Sequence, residues 1–421
     1  MSVLEKLQEH IDGLTIIDTH EHLPGWERDR PPNADVLSEW LIHYFPCDLV
    51  SAGLSDEGLS RARDPGGDLM RRWELVEPFW RAARNTGYGR ALDLAAKGVY
   101  GIDGVRRETI GELDRRFRAA RSRGGHYRRV LKELSRIAMS VYIGEPEADP
   151  EFFRASFSFH EYVMPAHRRD LVAKEQRFGI RVHTLRDWKA VMEKHIDEAL
   201  SKGAVALKCA LAYHRPLRFA KVPEAEAERA FHELFSEAHS PDWRAPIKLP
   251  LAFQDHMVHH ALALADARGL TVQFHTGIQE GTGNVVSDSN PTLLTNLFLE
   301  YRNVRFDLFH MGYPYVMEIS NLAKNFRNVH IDMCWGHIIS PEAARRALVE
   351  WLDAVPANKI SAFGGDYCFV DGVYGHQLLA RRNVAESLAQ KVRDDAMDLD
   401  RAREVATWLF VDNPGRLFGL S

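Results

Sequence analysis

A chain of 421 residues, 45% of them hydrophobic, is long enough to bury a large core, as one big domain or two ordinary ones. The formal net charge of -5 gives no electrostatic footprint for nucleic acid, and no run of about 18 uncharged apolar residues offers a membrane span. Four scattered cysteines, Cys47, Cys209, Cys334 and Cys368, form no C-x-x-C pair; with a charged N-terminus, "MSVLEKLQEH", they fit a protein of the reducing cytoplasm rather than a disulfide scaffold.

In chain order, eight short apolar runs read as strands: "LTIIDTH" (14–20), "RIAMSVYIG" (136–144), "FRASFSF" (153–159), "AVALKCAL" (204–211), "LTVQFHT" (270–276), "RFDLFHM" (305–311), "NVHIDM" (328–333) and "KISAFGGD" (359–366). Their nearly continuous β-branched and aromatic content suits strands covered on both faces. Amphipathic stretches fall between several of them. Residues 184–203 place Trp188, Val191, Met192, Ile196 and Leu200 on one helix face and stop at Gly203. Residues 340–356 start with Ser340 as N-cap and Pro341 in the first turn, then align Ala344, Leu348, Trp351 and Leu352. Strand and helix alternating in this way predict an α/β chain, a (β/α)8 TIM barrel over residues 1–421.

Two connections are too long for simple crossovers. Residues 23–135 hold several helices, such as 68–85, and are read as a large helical cap inserted after the first strand. Residues 212–250 form a second insertion. The basic stretch 115–129 reads as a solvated helix face, and His259 and His260 as solvent-facing or capping residues of a helix.

The polar residues inside the apolar runs carry the chemistry. His20 and His22 close the first strand; residues two apart share a strand face, so both reach the barrel mouth. Lys208 lies in the fourth strand, His275 ends the fifth, His310 the sixth and Asp366 the eighth. Each costs several kcal/mol to bury unless it is paired or ligated, about 2–7 kcal/mol for a neutral polar group. Imidazole and carboxylate together suit zinc and other first-row metals. Glu21, between the two histidines, points to the other face and is read as a supporting residue. Tyr213, His214 and Arg215 follow strand four; Gln279, Glu280 and Asn284 follow strand five; Trp335 follows strand seven. Of these, Tyr213, Arg215, Glu280, Asn284 and Trp335 are expected to contact substrate, Arg215 through an anionic group.

The segments "DTHEH", "VQFHTG", "LFHMG" and "FGGDY" resemble the amidohydrolase superfamily pattern of H-x-H on strand one, histidines on strands five and six and aspartate on strand eight. "DNPGRLFGL" (412–420) resembles the tail of its amidohydrolase-related branch. "NTGYGRALDLAAKGVYGID" (85–103) and "QFHTGIQEGTGN" (273–284) are similar to uronate isomerases. Two positions differ from those enzymes: Cys368 stands where they carry arginine after the strand-eight aspartate, and Gly375 opens "GHQLLARR" where they begin with arginine.

The resemblance implies one or two divalent ions, zinc first and manganese as the alternative. With one ion, His20, His22, His275 and Asp366 would hold it and His310 would face water or substrate. With two, a carbamylated Lys208 would bridge them, and His275 and His310 would serve the second. Asp366 would then shuttle a proton and His310 polarise a carbonyl. The expected activity is hydrolysis of an amide, ester or lactone bond in a small polar molecule by metal-activated water. Aldose–ketose isomerisation of a sugar acid and nonoxidative decarboxylation are the alternatives. The expected partner is that small molecule, with neither nucleic acid nor membrane; a homo-oligomer stays open.

Overall fold

The computed structural model describes residues 1–166, 168–236 and 250–420. Eight parallel strands stand in chain order around one sheet: β1 (Ile16–Glu21), β2 (Ile137–Ile143), β3 (Phe153–Ser158), β4 (Ala206–Cys209), β5 (Thr271–Phe274), β6 (Arg305–Leu308), β7 (Val329–Asp332) and β8 (Ile360–Ser361). The seam between β1 and the chain after β8 is closed by three backbone bonds. Thr19 N–H donates to Phe363 O (3.0 Å), Asp366 N–H to His20 O (2.8 Å) and His22 N–H to Tyr367 O (3.2 Å). The fold is a (β/α)8 barrel; seven strands fall inside the runs read from the sequence, and β1 runs one residue past its run, to Glu21. β8 is the shortest because the chain leaves the ladder at Ala362. A double glycine then carries it against β1: a Cβ on Gly365 would lie 1.7 Å from Glu21 Oε1.

Helices cover the strands on the expected faces. Leu185–Ser201 starts with a capping box, the Thr184 side chain accepting Asp187 N–H, and buries Trp188, Val191, Met192 and Ile196. Pro341–Ala354 starts at Ser340, whose hydroxyl accepts Ala343 N–H (3.2 Å), and buries Ala344, Leu348 and Trp351. His259 corrects its sequence reading. It is buried on Leu251–Arg268, with Nδ1 2.7 Å from the Tyr301 hydroxyl, because that face packs against the chain leading into β6. Of the second insertion, residues 237–249 lie outside the described residues; Glu224–Ser236 is helical. Among the described residues no helix is long and apolar enough to cross a membrane.

Between β1 and β2 run six α-helices, among them Phe45–Ser51, Leu69–Ala83, Gly87–Tyr100 and Ile110–Arg123. In the basic stretch, Arg115 pairs at the surface with Glu112, as a solvated face should. Arg118 and Arg121 instead reach inward to Asp114 and to the buried Glu39. Gly87–Tyr100 lies close along Val370–Arg393, the long helix after β8. At their crossing a Cβ on Gly375 would stand 2.0 Å from Ala91 O. Beside it, Asp371 is fully buried and takes three donors from the β1–β2 segment: Trp40 Nε1 (2.9 Å), Tyr100 Oη (2.8 Å) and His126 Nε2 (2.7 Å). Asp371→Ala would strand all three. It is expected to cost about 3 kcal/mol in urea unfolding and to open residues 23–135 to limited proteolysis. An unchanged urea midpoint would remove Asp371 from that role.

Candidate metal centre

β1 delivers His20 and His22 to the same face, and the loop after β8 brings Asp366 across the seam to them. His20 Nε2 and His22 Nε2 are 3.2 Å apart, and Asp366 Oδ1 stands 3.7 and 3.2 Å from them. Three lone-pair donors that close, with no hydrogen needed between them, fit a cation. His310 approaches Asp366 from the other side, with Nδ1 3.7 Å from Oδ2. His310, Cys334 and Asp366 form a second three-donor group that shares Asp366 with the first. The sequence reading did not pick out Cys334.

At His20, His275, His310 and Asp366 the electrostatics favour the proton-free form. Burial holds His20 well below the ordinary imidazole value, and the neighbouring Lys208 ammonium adds to this. Burial likewise holds His275 well below it and pushes His310 down to about 4. Burial raises the Asp366 carboxyl, but the His22 hydrogen bond and the fields of His310 and His20 outweigh it and hold it well below the usual range. Neutral imidazoles and a charged carboxylate are the protonation states a divalent ion requires.

The other expected residues distribute unevenly. Lys208 is in the site, 2% exposed, with Nζ 3.5 Å from His20 Nε2 and 3.9 Å from the centre of the Phe309 ring. His275, the fourth expected ligand, lies outside the two close three-donor groups. Its Nδ1 faces His310 Nε2 (2.9 Å) and its Nε2 faces Ile278 O (2.9 Å), so both ring nitrogens are engaged. Trp335 is buried against His310, ring centres 5.1 Å apart, and Tyr213 lies 4.6 Å from the His275 ring. The Tyr213 hydroxyl accepts Glu280 N–H. Arg215 differs from its expected substrate contact: its guanidinium is paired with Asp255 (2.6 Å) and bound to Arg218 O. Asn284 likewise turns inward, donating to Gln279 O and Glu280 O to hold the loop after β5.

Two residues from the β1–β2 segment were missed. The Tyr44 ring stacks on Trp335 at 4.5 Å, and burial, with Asp366 nearby, raises that phenol well above its usual value. The His43 ring lies 6.2 Å from His22. Nothing in "HYF" marks them, since the cap sequence has no strand register to aim them. Backbone strain does mark Tyr44. Among the described residues seven non-glycines have left-handed φ, and five of these, Tyr44, His310, Met311, Trp335 and Asp366, gather here. Each costs about 1–3 kcal/mol and persists where packing imposes it, which is typical of functional sites.

Beneath the donors the barrel interior is polar. Asp18 Oδ1 accepts His20 N–H (3.1 Å) and Gly365 N–H (2.9 Å), so it fixes both sides of the seam. Gln273 Nε2 donates to Thr19 O (2.9 Å) and Asp307. Burial raises Asp18 to about 6 and Asp307 to about 7. Glu21 accepts Tyr367 N–H (2.9 Å) and supports the same loop. The signal was present: an aspartate stands within each of the apolar runs of β1, β6 and β7.

The fold and donor set define a class. The amidohydrolase family profile matches residues 160–420, and the chain belongs to that family, whose members are metal-dependent. Over its full length it is 23% identical to the uronate isomerase of Cutibacterium acnes, covering 96% of that protein. It is also 27% identical over 240 residues to the fluG protein of Emericella nidulans; that match takes in 53% of this chain, which spans 27% of the length of the fungal protein. Among solved structures it resembles the uronate isomerase of Thermotoga maritima (TM-score 0.80, 15% identity, 99% of this chain and 97% of that one). It also resembles the glucuronate isomerase of Caulobacter crescentus (0.79, 19%, 100% and 94%) and a presumptive metal-dependent hydrolase of Lactobacillus casei (0.68, 17%, 98% and 97%). At these identities the structural likeness speaks for the fold.

His20→Ala and His22→Ala are each expected to lower divalent-metal content at least tenfold against the parent protein, read by elemental analysis after dialysis. Parent-level metal in both variants would move the ion elsewhere.

Proposed function

We propose that the chain is a metal-dependent aldose–ketose isomerase of a sugar acid, of the uronate isomerase kind. This replaces hydrolysis as the first reading. The observation that carries it is the likeness to a uronate isomerase across the whole chain, cap segment and β5 loop included, where a shared barrel alone would leave those parts unmatched.

The site's own groups support it. Isomerisation moves one proton between adjacent carbons and one between their oxygens, so it needs proton-carrying groups side by side. Asp366 and the neighbouring Tyr44 hydroxyl would be such a pair. His20, His22 and Asp366 would hold the ion, which when bound supplies Lewis-acid polarisation of the substrate carbonyl. Asp366, kept ionised by its imidazole neighbours, can take a proton from carbon or hydroxyl and return it. Tyr44 can hold a proton at an adjacent oxygen, and its raised value keeps it the donor of the pair. Trp335 and Tyr44 wall the site from water on one side.

A hydrolase is the second reading. Cys368 and Gly375 stand where uronate isomerases carry arginine, and arginine is the natural fork for a carboxylate. Conversion of D-glucuronate and D-galacturonate by zinc- or manganese-loaded protein, followed by proton NMR, tests the first reading. Appearance of the ketose supports it. No conversion of either by protein carrying a full equivalent of metal counts against it.

A further inference from the structure

A cavity of about 490 Å3 opens beside the donor cluster, lined among others by Cys47, Asp48, Tyr88, Gln279, Glu280 and Trp335. Trp335 is the shared wall: one side packs on His310, and Tyr44 stacks on its ring and on Tyr88 at 5.2 Å. The lining presents acceptors on Asp48, Gln279 and Glu280, hydroxyls on Ser51, Tyr88 and Thr282, and the buried, unpartnered indole N–H of Trp335. Asp48 Oδ2 and Gln279 Oε1 are both buried without a partner, and Gln279 as a whole is 4% exposed. Gln279 Nε2 donates to Ala212 O (2.9 Å), which fixes the amide and leaves its oxygen free. Glu280 is in the same lining, its Oε1 accepting from Cys47 Sγ (3.7 Å). No Lys, Arg or His is among the lining residues. Arg63 lies outside the lining, its Nε bound to Leu41 O, and offsets part of the charge of Glu280.

Buried acceptors without donors are costly to leave unmade. Three acceptor side chains against a wall of aromatic rings suit a ligand that brings several hydrogen-bond donors on a carbon chain with apolar C–H faces. A carboxylate brings none and is repelled. We propose that this cavity binds the hydroxylated stretch of the substrate, with Asp48, Gln279 and Glu280 accepting from neighbouring hydroxyls, and that it turns away carboxylates. Asp48 is then a specificity-determining residue. The inference deepens the isomerase reading and rests on it for the identity of the reacting end only. The substrate's carboxylate lies outside this cavity.

Cys47 sits in the cavity wall, so the test reads the cavity directly and without turnover. The rate of N-ethylmaleimide labelling at Cys47 is followed by peptide mass spectrometry with xylitol, 1-pentanol, butyrate or pentylammonium present at equal concentration. Xylitol is expected to slow labelling about threefold or more, as suits a weak small ligand, while 1-pentanol and butyrate leave it unchanged. Asp48→Ala and Glu280→Ala should each remove the protection. Fully buried Cys209 stays unlabelled in any folded variant and reports integrity. No protection by xylitol, equal protection by 1-pentanol or butyrate, or stronger protection by pentylammonium would each overturn the proposal. So would protection that survives in folded Asp48→Ala and Glu280→Ala alike. Each of these results is independent of whether a uronate is turned over.

Discussion

Asp366→Asn is expected to cut turnover by roughly 10²-fold or more while the fold stays intact. The substitution is conservative in shape and in backbone. Asp366 has φ +57°, a left-handed conformation that asparagine adopts more readily than most residues, so the loop after β8 should keep its path. Its amide N–H still bonds to His20 O and holds the seam. What is lost is the carboxylate: an amide neither accepts a proton as an ionised acid does nor supplies a full negative charge to a cation. Because Asp366 belongs to both three-donor groups, metal content should fall as well. Measuring activity at saturating metal separates the two losses. Turnover within a few-fold of the parent, with metal bound, would take the proton-carrying role away from Asp366.

Gly375→Arg is expected to yield no soluble folded protein, and Gly375→Ala to destabilise by about 3 kcal/mol, the upper end for overpacking. The reason is specific. The first atom of any side chain at Gly375 would stand 2.0 Å from a carbonyl oxygen of the Gly87–Tyr100 helix, and backbone cannot swing aside as a side-chain tip can. The arginine of uronate isomerases at the corresponding position therefore cannot be restored here by substitution alone. Cys368 is the opposite case. It is partly exposed, and the charges of Asp366 and Glu280 reach it, so Cys368→Arg should fold. Urea unfolding of the Gly375 series checks the first claim. A Gly375→Ala midpoint equal to the parent would mean that the two helices part easily.

What the sequence carried and what it hid follow from the same physics. Strands buried on both faces must be apolar throughout, so all eight stood out, and any polar residue inside one was conspicuous. That is why His20, His22, Lys208, His310 and Asp366 were found together. The H-x-H reading needed only the two-residue period of a strand. Loop residues obey no such period. Arg215 and Asn284 looked like substrate contacts because they follow strands, yet Asp255 and the carbonyls of their own loop take their donors. His275 was aligned correctly with its strand, and its ring nitrogens bond to His310 and Ile278 O, outside the two close three-donor groups. Tyr44 and Asp48 come from the segment after β1, where only the three-dimensional path decides what faces the mouth. The change of first reading from hydrolase to isomerase has a similar origin. Cys368 and Gly375 weighed against isomerase as isolated letters, whereas the likeness extends over the whole chain.

The central claim is that the site moves protons within one sugar-acid molecule and adds no water to it. The most direct measurement is turnover of D-glucuronate by the metal-loaded protein in ¹⁸O-labelled deuterium oxide, with the product identified by mass spectrometry and NMR. The account predicts an isomeric ketose, with deuterium at most on the reacting carbons and no ¹⁸O beyond spontaneous carbonyl exchange. A product carrying ¹⁸O in a newly formed carboxylate, or inertness towards uronates in metal-replete protein that cleaves an ester, amide or lactone, would contradict it.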